Sequence, residues 1–241
     1  MKYMGSKSRF AKAIYAKICE LTPRNGRAWV EPFAGGMNMI CEIPHEDGPR
    51  YANDLNRYVI ALFKHLVDCK NLPEFIEKEE HRKIMKNKDA FDDWFVGYVG
   101  FCCAYNGVFG TYAGRSNTKV GTVRDYQDES KRHVLKQSLK MKEVWYCNAS
   151  YDQIKIPKNS VVYCDPPYQN TTGYGVEFNH AEFWNWVRQV SKEHDVFVSE
   201  YNAPEDFECV WQSEAVSSLR AASGAGSKFS IEKLFRIAKN V

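Results

Sequence analysis

The chain has 241 residues, of which 44% are hydrophobic and 26% charged, with 14 Phe, 14 Tyr and 6 Trp. That is enough apolar material for one substantial core, and 15 Gly and 9 Pro without periodicity exclude a collagen-like or low-complexity chain. Net charge is only +3, yet residues 1–30 hold seven Lys/Arg against one acid and residues 104–145 hold eight against four. The cations therefore gather in two zones, a placement that suits either a phosphate backbone or a solvated face.

The membrane-like run Trp94 to Tyr105 falls well short of the roughly 18 to 20 residues a spanning helix needs. The start, Met1 to Lys7, is basic and lacks an apolar signal region, so a cytoplasmic protein without a membrane span is expected. Eight cysteines (Cys19, Cys41, Cys69, Cys102, Cys103, Cys147, Cys164 and Cys209) form no Cys-x-x-Cys pair and have no His at zinc-finger spacing; reduced thiols and no metal site are expected.

In chain order, Ser6 can cap a helix whose Phe10, Ile14 and Ile18 recur four apart and which ends near Pro23 and Gly26. Ala28 to Phe33 reads as a short strand, Ala34-Gly35-Gly36 as a turn, and the apolar stretch 37–43 as the helix that follows. A second strand, Arg50 to Asn53, runs into Asp54, placed to cap a helix carrying Leu55, Val59, Leu62, Phe63 and Leu66. From about 68 to 142 this alternation stops. A charged helical stretch, Glu77 to Lys88, gives way to aromatics and glycines and then to the polar segment Gly110 to Arg124. Residues 68–142 thus read as an insert between the two parts, 1–67 and 143–241, of one domain. Strands return at Val144 to Cys147, Val161 to Cys164 and Val196 to Val198, with a helix around 180–193. This α/β rhythm predicts a mostly parallel sheet with helices on both faces and a ligand beyond the carboxyl ends of its strands.

Three features fall at those ends. Glu31-Pro32-Phe33-Ala34-Gly35-Gly36 lets backbone approach a bound molecule closely. Asp54, one strand later, suits ribose hydroxyls or a helix cap. Asp165-Pro166-Pro167-Tyr168 is the most specific: two prolines hold the preceding carbonyls in an extended turn as acceptors, and Tyr168 offers a flat ring. A planar base could stack on that ring while its amino group points at Asp165 and the Pro166 carbonyl.

Lys2-Tyr3-Met4-Gly5-Ser6-Lys7, the Glu31–Gly36 motif, Asn53-Asp54 and Asp165-Pro166-Pro167-Tyr168, in that order across almost the whole chain, resemble the Dam-like DNA adenine-N6 methyltransferases of the D12 class, phage-encoded ones included. The resemblance implies a Rossmann-like S-adenosylmethionine-dependent methyltransferase fold, with an inserted, mainly helical DNA-recognition subdomain that carries a β-hairpin. It implies S-adenosylmethionine as cofactor, with Tyr3 and Lys7 closing its pocket, Phe33, Ala34 and Gly35 passing along it, and Asp54 on the ribose. Tyr151 lies against the cofactor's adenine ring or packs into the core. Asp165, Pro166, Pro167 and Tyr168 would be catalytic: a flipped adenine stacks on Tyr168, Asp165 serves both sides, near the cofactor's methionine moiety and the target amine, and Asp165 and the Pro166 carbonyl orient N6.

Within the insert, Ala104 to Gly110 resembles the family's entry to the recognition hairpin, and Asn106, Arg115, Asn117, Lys119 and Arg124 suit base edges and phosphates. Lys131, Arg132, Lys136, Lys140 and Lys142 are expected to face phosphate or solvent, and Asn170 to Gly175 reads as a lid. The chain departs from the family pattern where Met37-Asn38 follows Gly36, and at Asn148-Ala149-Ser150-Tyr151-Asp152 after the third strand. The expected substrate is double-stranded DNA at a short site such as GATC, acted on by a monomer. A methyltransferase acting on cytosine N4 or on RNA, and an inactive DNA-binding relative, are the alternatives.

Overall fold

A computed structural model describes residues 1–69, 71–118, 120–168, 178–216 and 229–238. Its main sheet has seven strands. β1 (Trp29–Glu31), β2 (Arg50–Asn53), β5 (Val144–Cys147), β6 (Val161–Cys164) and β7 (Asp195–Glu200) are parallel, and β8 (Phe207–Val216) and β9 (Phe229–Ile237) form an antiparallel hairpin at one edge. The order across the sheet is β5-β2-β1-β6-β7-β9-β8, so the winding reverses between β1 and β6. At such a reversal the loops leave in opposite directions and open a crevice at the carboxyl ends. β3 (Arg115–Asn117) and β4 (Val123–Asp125) pair separately as a small antiparallel hairpin.

Alternation along the strands builds two apolar layers. Trp29, Val161, Tyr163, Phe197 and Leu234 face α1 (Ala11–Leu21) and α2 (Arg57–Asp68), whereas Val30, Val162, Cys164, Val198 and Phe235 face α6 (His180–Val190). The layer under α1 and α2 continues into the region 68–142. There α3 (Lys78–Lys86) leads to α4 (Asp93–Gly97), which runs on as a π turn over Tyr98–Cys102, and α5 (Tyr126–Ser138) follows the small hairpin. Tyr98, Phe101, Cys102, Val134 and Met141 are buried in the same cluster as Ile14, Phe63 and Trp29.

Buried polar side chains staple these parts together. Arg50, 3% exposed, donates to the carbonyls of Ile43, Lys140 and Lys142, joining the start of β2 to the segment after α5. Gln127, wholly buried on α5, accepts from Ile76 N and donates to the carbonyls of Ile76 and Ala113. Each bond contributes about 1 kcal/mol net, and more would be lost if a buried partner were left unsatisfied.

Three local expectations differ from what forms. The first helix begins at Ala11 behind Phe10, without a side-chain cap; Ser6 instead accepts from Ser8 N. The stretch 37–43 is not an α-helix: Met37 sits at φ 57, which breaks a right-handed start, and only a short 3-10 turn forms at Ile40–Glu42. Its apolar side chains (Met37, Met39, Ile40 and Ile43) all enter the core, so their clustering reflected burial rather than helical period. Finally, α2 is capped by Asn56, whose side chain accepts from Tyr58 N, while Asp54 is directed elsewhere and Leu55 is exposed.

Among the described residues no helix is long and apolar enough to cross a membrane, and no group of three or more His, Cys, Asp or Glu is placed to hold a metal ion.

Candidate active site

The carboxyl ends of β1, β2 and β5 are tied by one side chain. Asn53, 3% exposed, donates to the carbonyls of Pro32 and Ala149 at 2.9 and 3.0 Å and accepts from Ala149 N at 3.0 Å. Beside it Asp54 uses both carboxylate oxygens, Oδ2 on Gly35 N at 2.7 Å and Oδ1 on Asn56 N at 2.8 Å. Burial pushes the Asp54 carboxyl above its usual range, with these two N–H donors opposing the shift.

Gly35 has φ 47, and a Cβ there would lie 2.9 Å from the Tyr3 ring; one on Gly36 would lie 2.5 Å from Tyr3 Cβ. The glycines let the N-terminal segment fold over the turn, and Tyr3 packs in turn against Phe101 at a tilt of 32°, with ring centres 5.4 Å apart.

These elements enclose a cavity of about 680 Å³ at the reversal of the sheet. Every residue expected at the cofactor lines it: Tyr3, Lys7, Phe33, Ala34, Gly35, Asp54, Tyr151 and Asp165. One wall is aromatic, since the Phe33 ring lies 5.2 Å from that of Tyr151 and 5.8 Å from that of Phe178. Glu31, Asn38, Ser150, Asp152, Asn179 and Glu182 line it too, and these were not picked out as site residues from the sequence.

Of the Asp165–Tyr168 motif, Asp165 and Pro167 line the cavity; Pro166 and Tyr168 are not among its lining residues. The Lys7 ammonium lies 2.9 Å from Asp165 Oδ1 and 4.4 Å from the centre of the Tyr168 ring. Burial pushes the Asp165 carboxyl up to about 6, with Lys7 opposing the shift. Burial lowers the Lys7 value, but Asp165 and Glu232 outweigh it and hold the ammonium above its ordinary range.

Glu31 is a second carboxyl at this site. It is buried where it lines the cavity, accepts from Trp29 Nε1 at 2.8 Å, and is pushed up to about 8 by burial. Glu232 on β9 is a third: its Oε1 lies 3.4 Å from Lys7 Nζ and accepts the Tyr168 hydroxyl. No strand was expected at β9; the alternation of Ile231, Lys233 and Phe235 with Glu232, Leu234 and Arg236 is the signal available there, and nothing local ties Glu232 to the Asp165 motif.

The residues expected to face nucleic acid fall on the turn at 105–107 and on the β3–β4 hairpin. Arg115 and Asn117 are exposed on β3 and Arg124 is exposed on β4. Arg115 pairs with Asp125 at 2.8 Å and sits 4.0 Å from the Phe75 ring, and Arg124 pairs with Glu129 at 2.7 Å. Asn106, exposed at φ 52, precedes Gly107, where a Cβ would lie 2.8 Å from the Lys2 and Tyr3 backbone. The turn at 105–107 therefore leans on the segment that closes the cavity, and Phe109 lines the cavity itself. Lys119 and the expected lid at 170–175 lie outside the described residues. Of the cations expected to face phosphate or solvent, Lys131 donates to the Pro73 and Glu74 carbonyls, Arg132 pairs with Asp128 and Lys140 with Glu42.

The family description of D12 class N6 adenine-specific DNA methyltransferases matches residues 3–96. No curated protein sequence matches the chain. Among solved structures, an RNA methyltransferase of Pyrococcus horikoshii, itself assigned by inference, aligns at TM-score 0.44 and 9% identity over 96% of this chain and 83% of that one. A methylase of Haemophilus influenzae, likewise assigned, aligns at TM-score 0.37 and 10% identity over 96% of this chain and 98% of that one. A similarly assigned methyltransferase complexed with SAH aligns at TM-score 0.36 and 11% identity over 98% of this chain and 53% of that one. Likenesses at these scores add nothing to the topology described above.

Proposed function

We propose that this chain, by its match over residues 3–96 an adenine-specific DNA methyltransferase of the D12 class that uses S-adenosylmethionine, methylates N6 of an adenine flipped out of double-stranded DNA. The observation that carries the reading is the Lys7–Asp165 pair at 2.9 Å on the wall of the cavity. It offers one oriented carboxylate beside a space able to take both a nucleoside cofactor and a base.

The residues present fit the cofactor. Asp54, already fixed by two N–H donors, would hold ribose hydroxyls, the aromatic wall of Phe33, Tyr151 and Phe178 would take a purine ring, and the Gly35-Gly36 turn leaves room for a close backbone approach. When bound, the cofactor supplies a sulfonium methyl group. The protein's own part is positioning and electrostatics. Asp165 would accept one N6–H bond, the Pro166 carbonyl the other, and Tyr168 would stack beneath the base, turning the nitrogen lone pair toward the methyl group; as the new N–C bond forms the methyl–sulfur bond would break, its electron pair staying on sulfur, and N6 would pass its surplus proton by way of the Asp165 carboxylate to solvent. Lys7 keeps Asp165 ionised and fixed.

The hairpin β3–β4 and the turn at Asn106 would read the duplex, with Arg115, Asn117 and Arg124 on bases and phosphates. GATC is the target proposed first, for a cytoplasmic monomer built from a catalytic part (1–67 and 143–241) and a recognition insert (68–142). Nucleoside mass spectrometry on unmethylated plasmid DNA incubated with the protein and S-adenosylmethionine tests the reading. N6-methyladenine supports it, N4-methylcytosine moves the reaction to another base, and methylation of RNA alone moves it to another substrate.

A further inference from the structure

The Lys7 ammonium has three protons, and three oxygens surround it: Asp165 Oδ1 at 2.9 Å, Gly5 O at 3.3 Å and Glu232 Oε1 at 3.4 Å. The last of these oxygens also accepts the hydroxyl of Tyr168. Glu232 is 7% exposed and does not line the cavity. It reaches this place because β9 runs antiparallel to β7, pairing Lys233 with Glu200, so that the early residues of β9 stand level with the carboxyl ends of the parallel strands. Alternation then puts Glu232 on the same face as Leu234, toward Tyr163 and Lys7.

Resting on the function proposed above, we infer that Glu232 is a positioning residue for methyl transfer: it fixes the plane of the Tyr168 ring through its hydroxyl and holds Lys7 between that ring and Asp165. A tyrosine ring tethered only at Cβ tilts and swings about two torsions; a charge-assisted hydrogen bond at its far end removes that freedom. The edge of Tyr201, with its ring centre 4.7 Å away, braces the same ring from the side. A base stacked on Tyr168 then takes its plane from Glu232, and its amino group meets Asp165 at an angle that the pair sets together. Glu232 itself touches no reacting atom.

The test compares Glu232→Leu, Glu232→Gln, Tyr168→Phe and the double variant Glu232→Leu/Tyr168→Phe with the parent, reading kcat and KM for S-adenosylmethionine on plasmid DNA, with thermal melting as the check on folding. Glu232→Leu should lower kcat roughly tenfold to a hundredfold, since small misplacements of reacting groups cost that much. KM for the cofactor should stay within about threefold, as expected of a site that does not touch it. Tyr168→Phe should lose a similar amount, and the double variant should lose no more than the worse single one. Glu232→Gln, whose carbonyl still accepts the hydroxyl, should restore most of the loss.

Glu232→Gln should also move the acid limb of the kcat profile to lower pH. Lys7, Glu232 and Tyr168 face Asp165 together with Glu31 from β1 and Tyr163 from β6, and removing the negative charge of Glu232 eases its ionisation. Parent-like kcat in Glu232→Leu, or losses that multiply in the double variant, would overturn the inference. Should Glu232→Leu fail to fold, an unmoved acid limb in Glu232→Gln would overturn it alone. A parent that makes no methylated nucleoside removes the functional reading beneath it, a result distinct from an active parent with indifferent variants.

Discussion

The side-chain amide of Gln137, on the last turn of α5, donates to the backbone carbonyls of Gly36 and Met37 at 2.9 Å each. The helix that begins at the β3–β4 hairpin therefore ends on the Gly-rich turn that lines the cavity. Replacing Gln137 by Leu leaves two buried carbonyls without donors, an expected cost of about 1–3 kcal/mol. Cofactor affinity should fall by about tenfold, the factor that 1.4 kcal/mol represents. Calorimetric titration of S-adenosylmethionine with thermal melting in parallel checks both; unchanged affinity in a destabilised variant would restrict Gln137 to a structural role.

Asp165→Ala removes the carboxylate that Lys7 holds and that the proposed mechanism places on N6. Turnover should fall by about 1000-fold or more, comparable to loss of a preorganised electrostatic partner in other enzymes. The variant should melt near the parent, because the lost group stands at a cavity wall rather than within the apolar layers. Mass spectrometry of plasmid nucleosides after prolonged incubation measures residual transfer, and substantial turnover by a folded variant would displace the site.

Glu31 supplies a pH dependence whose sign is fixed by its burial. Its folded-state value, about 8, stands above the ordinary glutamate value, so the native chain binds this proton more tightly than the unfolded one. The contribution is whole below the ordinary value and is lost as pH rises through about 8, so stability should fall with pH across that window. Asp165, raised to about 6, adds a slope of the same sign over the lower part. Glu31→Gln mimics the protonated form and should flatten the fall by on the order of a few kcal/mol between pH 5 and 8. Urea melts of both proteins at several pH values give the comparison; parallel curves would mean that Glu31 does not carry this dependence.

Asn53→Ala deletes the staple across β1, β2 and β5 and strands the carbonyls of Pro32 and Ala149 and the Ala149 N–H. The expected destabilisation is about 2–4 kcal/mol, more than a single hydrogen bond because buried partners remain. A lower urea midpoint at unchanged m-value is the signature.

Arg115→Ala and Arg124→Ala test the proposed DNA contacts of the β3–β4 hairpin. Both cations are exposed and already paired, with Asp125 and Glu129, so a phosphate would have to compete with those acids. Each substitution should weaken DNA binding and reduce the slope of log affinity against log salt by about one. Anisotropy titrations of a labelled duplex at several salt concentrations show this; unaltered slopes would move the contact surface elsewhere.

Much of the site could be read along the chain because its motifs are local. The Phe33–Gly35 turn, Asp54 and Asp165 each follow a strand in sequence, and a parallel sheet sends the carboxyl ends of its strands to one side, where these residues meet around a single cavity. What misled were choices that neighbouring residues cannot settle. Asp54 and Asn56 are both able to cap α2; Asp54 Oδ2 instead reaches across to Gly35, nineteen residues back, and Asn56 takes the cap. The stretch 37–43 has the apolar content of a helix, but its side chains are drawn into the core from an irregular backbone that turns at Met37.

The chain's own order of residues was sufficient for the α/β class and for placing Phe33, Gly35, Asp54, Tyr151 and Asp165 among the positions that line the cavity, since burial period and turn chemistry act over a few residues. Tertiary structure decided the rest. It brought Glu232 from the far end of the chain against Tyr168 and Lys7, and Gln137 from α5 onto the Gly-rich turn. A hydrogen bond or ion pair forms between whichever groups the packed layers bring within about 3 Å, and that proximity follows from strand order and direction rather than from any neighbouring residue.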